Sequence, residues 1–331
     1  MNEIKLAIIG TGRWGINHVK TAFGLLGENL KIVCDINENK KEEINSVSET
    51  IKFSSDINSI LRDEEINAVI IATPAETHYD LAKKSLINKK NVLVEKPITL
   101  ITGEAEELIE LASHQKKKLM VGHVLLYHPA IIKLKEMLIS GKIGKVQYIY
   151  SNRLNLGSVR KEENILWSFA PHDISIIQYL LGSKPIKIDA QGASFLQNKI
   201  EDTTLTYLRY PNNIHAHIFV SWLHPFKEHR LVVIGNKGMI VFEDSLPNDK
   251  LKYYPKGFTK INHQITKFDG DFKTINFNSN PPLKEEQKHF FDCIINNQEP
   301  LTNGDHALEV LEILEEAQRN LFRFDTMSVE M

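Results

Sequence analysis

Hydrophobic and polar positions follow two different patterns along this chain. From residue 4 to about residue 120, short continuous apolar runs alternate with amphipathic segments of helical period. Apolar strands separated by helices indicate a parallel sheet that is covered on both faces, as in doubly wound α/β folds. The predicted strands are 6–9, 32–34, 68–72, 92–94 and 119–121, and two of the predicted helices are 77–87 and 103–113.

After about residue 120, most strands alternate apolar and polar residues, which is typical of a sheet with one buried face. A helix near 172–181 interrupts these strands, and two further helices close the chain. The change of pattern predicts two domains, over residues 1–121 and 122–331. The predicted strands are 146–153, 187–193, 203–210, 214–222, 230–234 and 239–242, the remaining helices are 129–139, 283–296 and 306–321, and 249–280 stays unassigned.

Composition and charge narrow the function classes. A chain of 331 residues can form two cores, and its net charge of −2 does not suggest nucleic acid or an anionic membrane as a partner. The two cysteines, Cys34 and Cys293, provide neither a disulfide framework nor the spacing of zinc ligands. No export signal is visible and no apolar stretch approaches ~20 residues, so we expect a cytoplasmic protein without a membrane span.

A glycine-rich turn follows the first predicted strand and opens the first helix. Its sequence is Gly10-Thr11-Gly12-Arg13-Trp14-Gly15, and Asp35 ends the second strand about 20 residues later. The first glycine permits the turn, the second lets the backbone approach a pyrophosphate, and the third lets the helix pack on the strand. A carboxylate at position 35 would bind both ribose hydroxyls, which favours NAD, although Lys40 and Lys41 leave NADP open. The alternative is a structural turn with Asp35 capping a helix.

Two later turns bring polar residues to the same edge of the predicted sheet. The fourth strand leads into Thr73-Pro74 and His78, and the fifth ends in Glu95-Lys96-Pro97. Ligands of open parallel sheets bind at the carboxyl ends of the strands, so we expect these residues in the cofactor site. His78 equally fits a surface position at a helix start. Lys96 could exchange protons with a substrate hydroxyl or could be a surface lysine paired with Glu95, and its bond to Pro97 is a candidate for a cis peptide.

Histidines supply further candidates for chemistry. His172 lies in Pro171-His172-Asp173, where we predict a helix start, and it suits a general base for a sugar hydroxyl. The alternative is a buried structural histidine, and Asp173 is better explained by the helix dipole than as its orienting partner. His215 and His217 share one strand face, but no further ligand at metal spacing accompanies them, so we predict no metal site.

These motifs together resemble the Gfo/Idh/MocA oxidoreductases over essentially the whole chain. The resemblance implies an amino-terminal Rossmann domain, a carboxyl-terminal α/β domain with a large open, mostly antiparallel sheet, and dimers or tetramers formed through that sheet. It also implies catalytic roles for Lys96 and His172. Many members have aspartates where this chain has Ser168 and Ser175. The matching segments are 10–15, 72–74, 95–97, 141–144, His172 and 179–182.

Segments 151–157 and 167–175 resemble the nucleotide-sugar branch of this family, which oxidises C3 of UDP-N-acetylglucosamine or of its uronic acid. By this resemblance, substrate would be bound by Arg153, Asn155, Arg160, Trp167, Ser168 and His172. Arginine binds diphosphate or carboxylate bidentately, although Arg153 also fits a strand-end surface position. His123, Tyr127 and His128 fit a sugar pocket and a packing role equally well.

The sequence thus predicts an NAD-dependent dehydrogenase of a UDP-sugar, with a small nucleotide sugar as its substrate. One alternative is an inositol or free-sugar dehydrogenase of the same family, which needs no arginines for a diphosphate. A second is a regulator that binds the cofactor without turnover, for which the serine at position 168 leaves room. Retention of both Lys96 and His172 argues against such a regulator, because a sensor needs no pair for proton transfer.

Overall fold

The computed structural model describes residues 3–261 and 263–327. The helices are α1 (Gly15–Leu26), α2 (Lys40–Val47), α3 (Asn58–Leu61), α4 (His78–Ile87), α5 (Thr102–Gln115), α6 (Pro129–Ile139), α7 (Ile165–Leu181), α8 (Pro282–Ile295) and α9 (Gly304–Met327). The strands are β1 (Leu6–Ile9), β2 (Leu30–Cys34), β3 (Lys52–Ser54), β4 (Ala68–Ile71), β5 (Asn91–Glu95), β6 (Leu119–Gly122), β7 (Val146–Leu156), β8 (Lys187–Ala193), β9 (Thr203–Tyr210), β10 (Ile214–Ser221), β11 (Leu223–Gly235), β12 (Gly238–Glu243), β13 (Leu251–Tyr254), β14 (Lys256–Ile261), β15 (Gln264–Asp269) and β16 (Lys273–Thr274).

The chain forms two compact units. The first comprises Met1–Tyr127 and Asn280–Leu311, and the second comprises His128–Ser279 and Glu312–Met331. Residues 280–311 therefore pack with the amino-terminal sheet, although they follow most of the second unit in sequence. The functional domains 1–121 and 122–331 stay a prediction.

The first unit contains a parallel sheet in the order β3-β2-β1-β4-β5-β6. Every residue of β1 and β4 is buried, because the connecting helices cover the sheet. The strand order changes direction between β1 and β4, which is the switch point where open α/β sheets bind dinucleotides. The predicted Rossmann fold is confirmed.

The second unit contains a large mixed sheet in the order β16-β13-β12-β11-β7-β10-β9-β8. Its strands pair antiparallel except for β7 and β10, which run parallel. Alternate residues of β9 are buried, as the sequence pattern predicted, and α7 packs against β7, β9 and β10. The predicted mostly antiparallel sheet is confirmed.

One prediction of secondary structure needs correction, and one unassigned segment is now described. The interrupting helix begins at Ile165, not near His172, because the side chain of Asn164 caps it by accepting a hydrogen bond from Trp167 N at 3.3 Å. Pro171 therefore lies inside α7. The unassigned segment 249–280 contains β13 to β16, and β14 and β15 form a separate two-stranded ribbon.

Among the described residues, no helix is both long and apolar enough to cross a membrane.

Candidate functional site

The glycine-rich turn has the geometry of a phosphate-binding loop. A Cβ atom at Gly10, whose φ is +91°, would lie 2.7 Å from Ala72 O, and one at Gly15 would lie 2.2 Å from Gly10 O. At Gly12, by contrast, a Cβ would meet no described atom within 4 Å. The first and third glycines are therefore required by protein packing, whereas the second faces open space where a pyrophosphate can approach. Arg13 and Trp14 are exposed beside it, and the first turn of α1 carries no acidic residue.

Asp35 is held at the end of β2 by the same turn. Its Oδ2 accepts hydrogen bonds from Thr11 N and Thr11 Oγ1, each at 2.7 Å, and its Oδ1 accepts one from Asn37 N at 2.9 Å. Burial opposes ionisation, but the bonds from Asn37 and Thr11 outweigh it and hold the pKa of Asp35 below its usual value. Asp35 is thus a fixed carboxylate on the adenosine side of the sheet. Lys40 pairs with Glu43 at 2.8 Å.

Hydrogen bonds within the turn after β4 stabilise it. Thr77 Oγ1 donates to Pro74 O at 2.7 Å and accepts from Thr73 Oγ1 at 2.7 Å. His78 is buried, and its Nδ1 and Nε2 lie 2.7 Å from Pro97 O and 2.9 Å from Thr73 O. Burial holds the pKa of His78 below its usual value. This imidazole therefore joins the loops after β4 and β5, and any contact of His78 with the cofactor stays a prediction.

Lys96 directly follows β5, and its bond to Pro97 is cis. The preceding residue, Glu95, accepts hydrogen bonds at Oε1 from Trp14 Nε1 at 2.6 Å and from His18 at 2.8 Å. Because Asp35 marks the adenosine half of a Rossmann site, β4 to β6 carry its nicotinamide half. Lys96 therefore lies at the carboxyl edge of the sheet, in the half where redox chemistry takes place.

His172 lies in the middle of α7 and is partly exposed. Ser168, where many relatives have an aspartate, is buried one helical turn earlier, and Ser175 Oγ donates to His172 O at 2.9 Å. Asp173 also lies in the middle of α7, so a favourable interaction with the helix dipole does not explain this residue. A catalytic role for His172 stays a prediction.

Asp173 instead forms a buried ion pair with Arg153 of β7. Arg153 Nε and Nη2 donate to its two carboxylate oxygens at 2.7 and 3.0 Å, and Ser151 Oγ donates to Oδ1 at 2.6 Å. His229 Nδ1 lies 3.4 Å from Arg153 Nη1, and burial followed by the charge of Arg153 lowers the pKa of His229 to about 4. The guanidinium is therefore occupied by a carboxylate of its own chain. Binding of substrate by Arg153 stays a prediction, and this pairing weakens it.

The other predicted substrate residues lie at the end of β7 and at the start of α7. Asn155 is partly exposed in β7, and Arg160 is exposed in the following loop, where its Nε lies 3.2 Å from Glu163 Oε1. Trp167 is partly exposed, and its indole Nε1 donates to Gln318 Oε1 at 3.0 Å. Arg160 is thus more accessible than Arg153, whereas the Trp167 indole supports packing within its own unit. Their contacts with substrate stay predictions.

The structure places His123, Tyr127 and His128, which the sequence left open as pocket or packing residues, in different surroundings. Tyr127 is buried and its hydroxyl lies 3.1 Å from Thr302 Oγ1, and His128 caps α6 by accepting from Ala130 N at 3.1 Å. Both side chains therefore make contacts within their own units, and a role in a sugar pocket stays a prediction. His123 lies beyond β6 beside His306, and burial, His306 and Lys96 hold its pKa well below the usual value.

Two residues that the sequence analysis missed lie close to Glu95. His18 and Glu286 place ligand-type atoms within 4.8 Å of one another and of Glu95. His18 is four residues after Trp14, so helical spacing alone would place both on one face of α1. Nothing in the local sequence marks Glu286, because α8 joins the first unit only through tertiary folding.

The residues present therefore fit NAD. Gly12 leaves room for a pyrophosphate, Asp35 would hold the ribose hydroxyls, and Lys96 would lie at the nicotinamide half. When bound, NAD supplies the hydride acceptor.

Two family models and several individual proteins match this chain. The family model "Oxidoreductase family, NAD-binding Rossmann fold" matches residues 4–123, and the "GFO/IDH/MocA C-terminal domain" matches residues 131–241. A scyllo-inositol 2-dehydrogenase (NAD(+)) of Bacillus subtilis is 28% identical over 94% of this chain and 92% of its own length. A UDP-N-acetylglucosamine 3-dehydrogenase of Acidithiobacillus ferrooxidans is 28% identical over 62% of this chain and 63% of its own.

A solved structure described as UDP-N-acetylglucosamine 3-dehydrogenase from Acidithiobacillus ferrooxidans superimposes with a TM-score of 0.83 at 21% identity, covering 96% of this chain and 98% of that one. That similarity supports the fold. The two family models together span most of the chain, and the description of the first fits the parallel Rossmann sheet of the first unit. The chain therefore belongs to the Gfo/Idh/MocA family and is an NAD-binding oxidoreductase.

Proposed function

We propose that this protein oxidises the C3 hydroxyl of a UDP-N-acetyl-hexosamine, or of its uronic acid, to a 3-keto sugar for the biosynthesis of diamino sugars and cell-surface polysaccharides. The observation that carries the dehydrogenase chemistry is the position of Lys96, directly after β5 in the nicotinamide half of the NAD site. The nucleotide-sugar substrate is supported by the Acidithiobacillus ferrooxidans relative.

In this mechanism Lys96 donates a hydrogen bond to the substrate oxygen, which orients the hydroxyl and stabilises negative charge as it develops. His172 accepts the hydroxyl proton as the general base. Bound NAD would supply the acceptor for the hydrogen of the same carbon, which would leave as hydride, so that the carbon would become a ketone. The substrate would thus lose two electrons and two hydrogens, one hydrogen as the proton on His172 and the other as the hydride.

A specific observation favours a second candidate, an inositol or free-sugar dehydrogenase. Arg153, one of the two arginines predicted for a diphosphate, is held by Asp173. The scyllo-inositol 2-dehydrogenase relative also aligns over more of this chain than the nucleotide-sugar relative does. Arg160 is then the residue that separates the two candidates, because it is exposed and a diphosphate needs a cationic partner.

The experiment is a substrate panel with NAD: UDP-N-acetylglucosamine, its uronic acid, free N-acetylglucosamine and myo-inositol, each with and without 2-oxoglutarate. We expect NADH only with a UDP-sugar, and about a tenfold higher KM after Arg160→Ala, since a charged hydrogen bond contributes ~1.5–3 kcal/mol. The matched control is Lys161→Ala, at the neighbouring exposed position. Turnover of myo-inositol alone would contradict the proposal and support the second candidate. Binding of NAD without turnover of any substrate would favour a regulator.

Assembly and location stay predictions. We expect a homodimer or a homotetramer through the face of the large sheet that α7 does not cover. Aromatic and imidazole rings lie on that face, where Tyr150 and His217 stack with centroids 5.5 Å apart. We expect a cytoplasmic protein, because sugar nucleotides and NAD are cytoplasmic metabolites.

A further inference from the structure

Three ionisable side chains from distant parts of the sequence meet inside the first unit. His18 comes from α1, Glu95 from the end of β5 and Glu286 from α8, and their ligand-type atoms lie within 4.8 Å of one another. The side chains of His18 and Glu286 are fully buried, and that of Glu95 is 14% exposed. Two carboxyl groups this close in the interior cannot both ionise without a large electrostatic penalty.

The surroundings decide which carboxyl group keeps a proton. Glu95 receives hydrogen bonds from Trp14 Nε1, from His18 and, at 3.2 Å, from Lys96 N. Neither carboxyl oxygen of Glu286 has a hydrogen-bond partner among the described residues. A carboxylate with several donors is stabilised, whereas a buried carboxylate without donors is not. The negative charge therefore belongs on Glu95 and the proton on Glu286.

The pKa shifts agree with this geometry. Burial, followed by the charge of Glu95, raises the pKa of Glu286 well above its usual value. Burial also opposes ionisation of Glu95, but the hydrogen bonds from His18 and Trp14 outweigh it and lower the pKa of Glu95.

A bound metal ion is the other explanation for such a cluster, and the hydrogen bonds of His18 argue against it. Gln287 Nε2 lies 3.0 Å from His18 Nδ1 and 3.2 Å from His18 O. A carbonyl oxygen only accepts, so this amide nitrogen donates, and Nδ1 of His18 accepts from it. The ring proton of a neutral His18 is then on Nε2, where it is donated to Glu95. That nitrogen has no lone pair for a metal.

We propose that Glu286 is a neutral carboxylic acid next to the ionised Glu95, and that this pair tunes the preference of the site for NAD⁺ over NADH. At neutral pH the pair carries one negative charge in the nicotinamide half of the site. Loss of the Glu286 proton adds a second charge. Because NAD⁺ differs from NADH by the positive charge of its ring, the added charge favours the oxidised form. This inference concerns cofactor binding and is independent of the substrate.

Other ionisable groups around Glu286 also influence its titration. His18 lies on α1, Glu95 ends β5 and Lys96 follows it, and Tyr127 lies in the turn beyond β6, where Glu286 contributes to the raised pKa of its phenol. On α8 itself, the neighbouring ionisable groups are Glu285 and His289. The substitution Glu286→Gln keeps the shape of a protonated glutamate but removes the group that titrates.

The first test measures the melting temperature of the cofactor-free protein from pH 5 to pH 8 for wild type, Glu286→Gln and the control Glu285→Gln. A carboxyl group with a raised folded pKa stabilises fully below its unfolded pKa, and this contribution is lost as pH rises through the folded pKa. We therefore expect the melting temperature of wild type to fall by about 5 °C or more relative to that of Glu286→Gln between pH 5 and pH 8. Relative to Glu285→Gln, we expect no such fall. A constant difference in melting temperature between wild type and Glu286→Gln would overturn the protonated state of Glu286.

The second test measures Kd for NAD⁺ and for NADH by calorimetry at pH 6 and pH 9. In wild type we expect the ratio of Kd for NADH to Kd for NAD⁺ to rise about tenfold with pH, and in Glu286→Gln we expect it to stay constant. A flat ratio in wild type would overturn the tuning role. Addition of Zn²⁺ alone provides a further check, because stabilisation of wild type but not of Glu286→Gln would identify a metal site instead.

Discussion

Replacement of Lys96 by methionine should lower kcat by about a hundred- to ten-thousandfold, the usual contribution of a group that assists proton transfer. Methionine keeps the apolar length of lysine but cannot donate a hydrogen bond to a substrate oxygen. Asp35 and the glycine-rich turn are unchanged, so Kd for NAD⁺ should stay within about threefold. Steady-state turnover and calorimetric binding of NAD⁺ measure the two effects separately.

The matched control is Lys84→Met, which removes an exposed lysine from α4 of the same unit. It should leave both turnover and NAD⁺ affinity unchanged. His172→Asn tests the proposed base in the second unit and should also lower kcat, most strongly at low pH, where hydroxide cannot replace the missing base. Full turnover by both the Lys96→Met and the His172→Asn variants would contradict the proposed chemistry.

Replacement of Asp173 by alanine should destabilise the protein by about 3–5 kcal/mol, because it leaves the buried guanidinium of Arg153 without its carboxylate. That loss is a large part of the ~5–15 kcal/mol that stabilises a typical domain. Urea unfolding followed by tryptophan fluorescence suits this measurement, since Trp167 and Trp222 both belong to the second unit.

The control for Asp173→Ala is Glu312→Ala. It breaks an ion pair with Lys184 in the same unit, at 2.8 Å, but these side chains are 44% and 53% exposed. An exposed pair contributes less than about 1 kcal/mol. Equal effects of the two variants would contradict the buried-pair account. If Asp173→Ala is the more damaging, loss of activity in Arg153→Ala would report on folding, so only Arg160 tests for diphosphate binding.

Much of the first unit could be predicted because its determinants are local. Continuous apolar runs specify buried parallel strands, and each glycine of the turn has a distinct steric reason that its sequence context already indicates. The strand ends then bring Asp35, Thr73 and Lys96 to one edge, as the structure has them.

The remaining features depend on contacts between distant residues. The sequence predicts a start of α7 near His172 because Pro171 is typical of a first helical turn, whereas the helix begins at Ile165 and is capped by Asn164. The pairing of Arg153 with Asp173 joins a strand to a later helix, and nothing in either segment marks it. Glu286 reaches Glu95 only because α8 returns to the first unit.

The most direct test of the proposed function follows the hydrogen on C3. The protein would be given NAD⁺ and UDP-N-acetylglucosamine that carries deuterium only at C3, or the corresponding uronic acid, and the NADH would be analysed by mass spectrometry. Oxidation at C3 predicts that the NADH carries the deuterium. NADH without deuterium would contradict the account, because the hydride would then have come from another carbon.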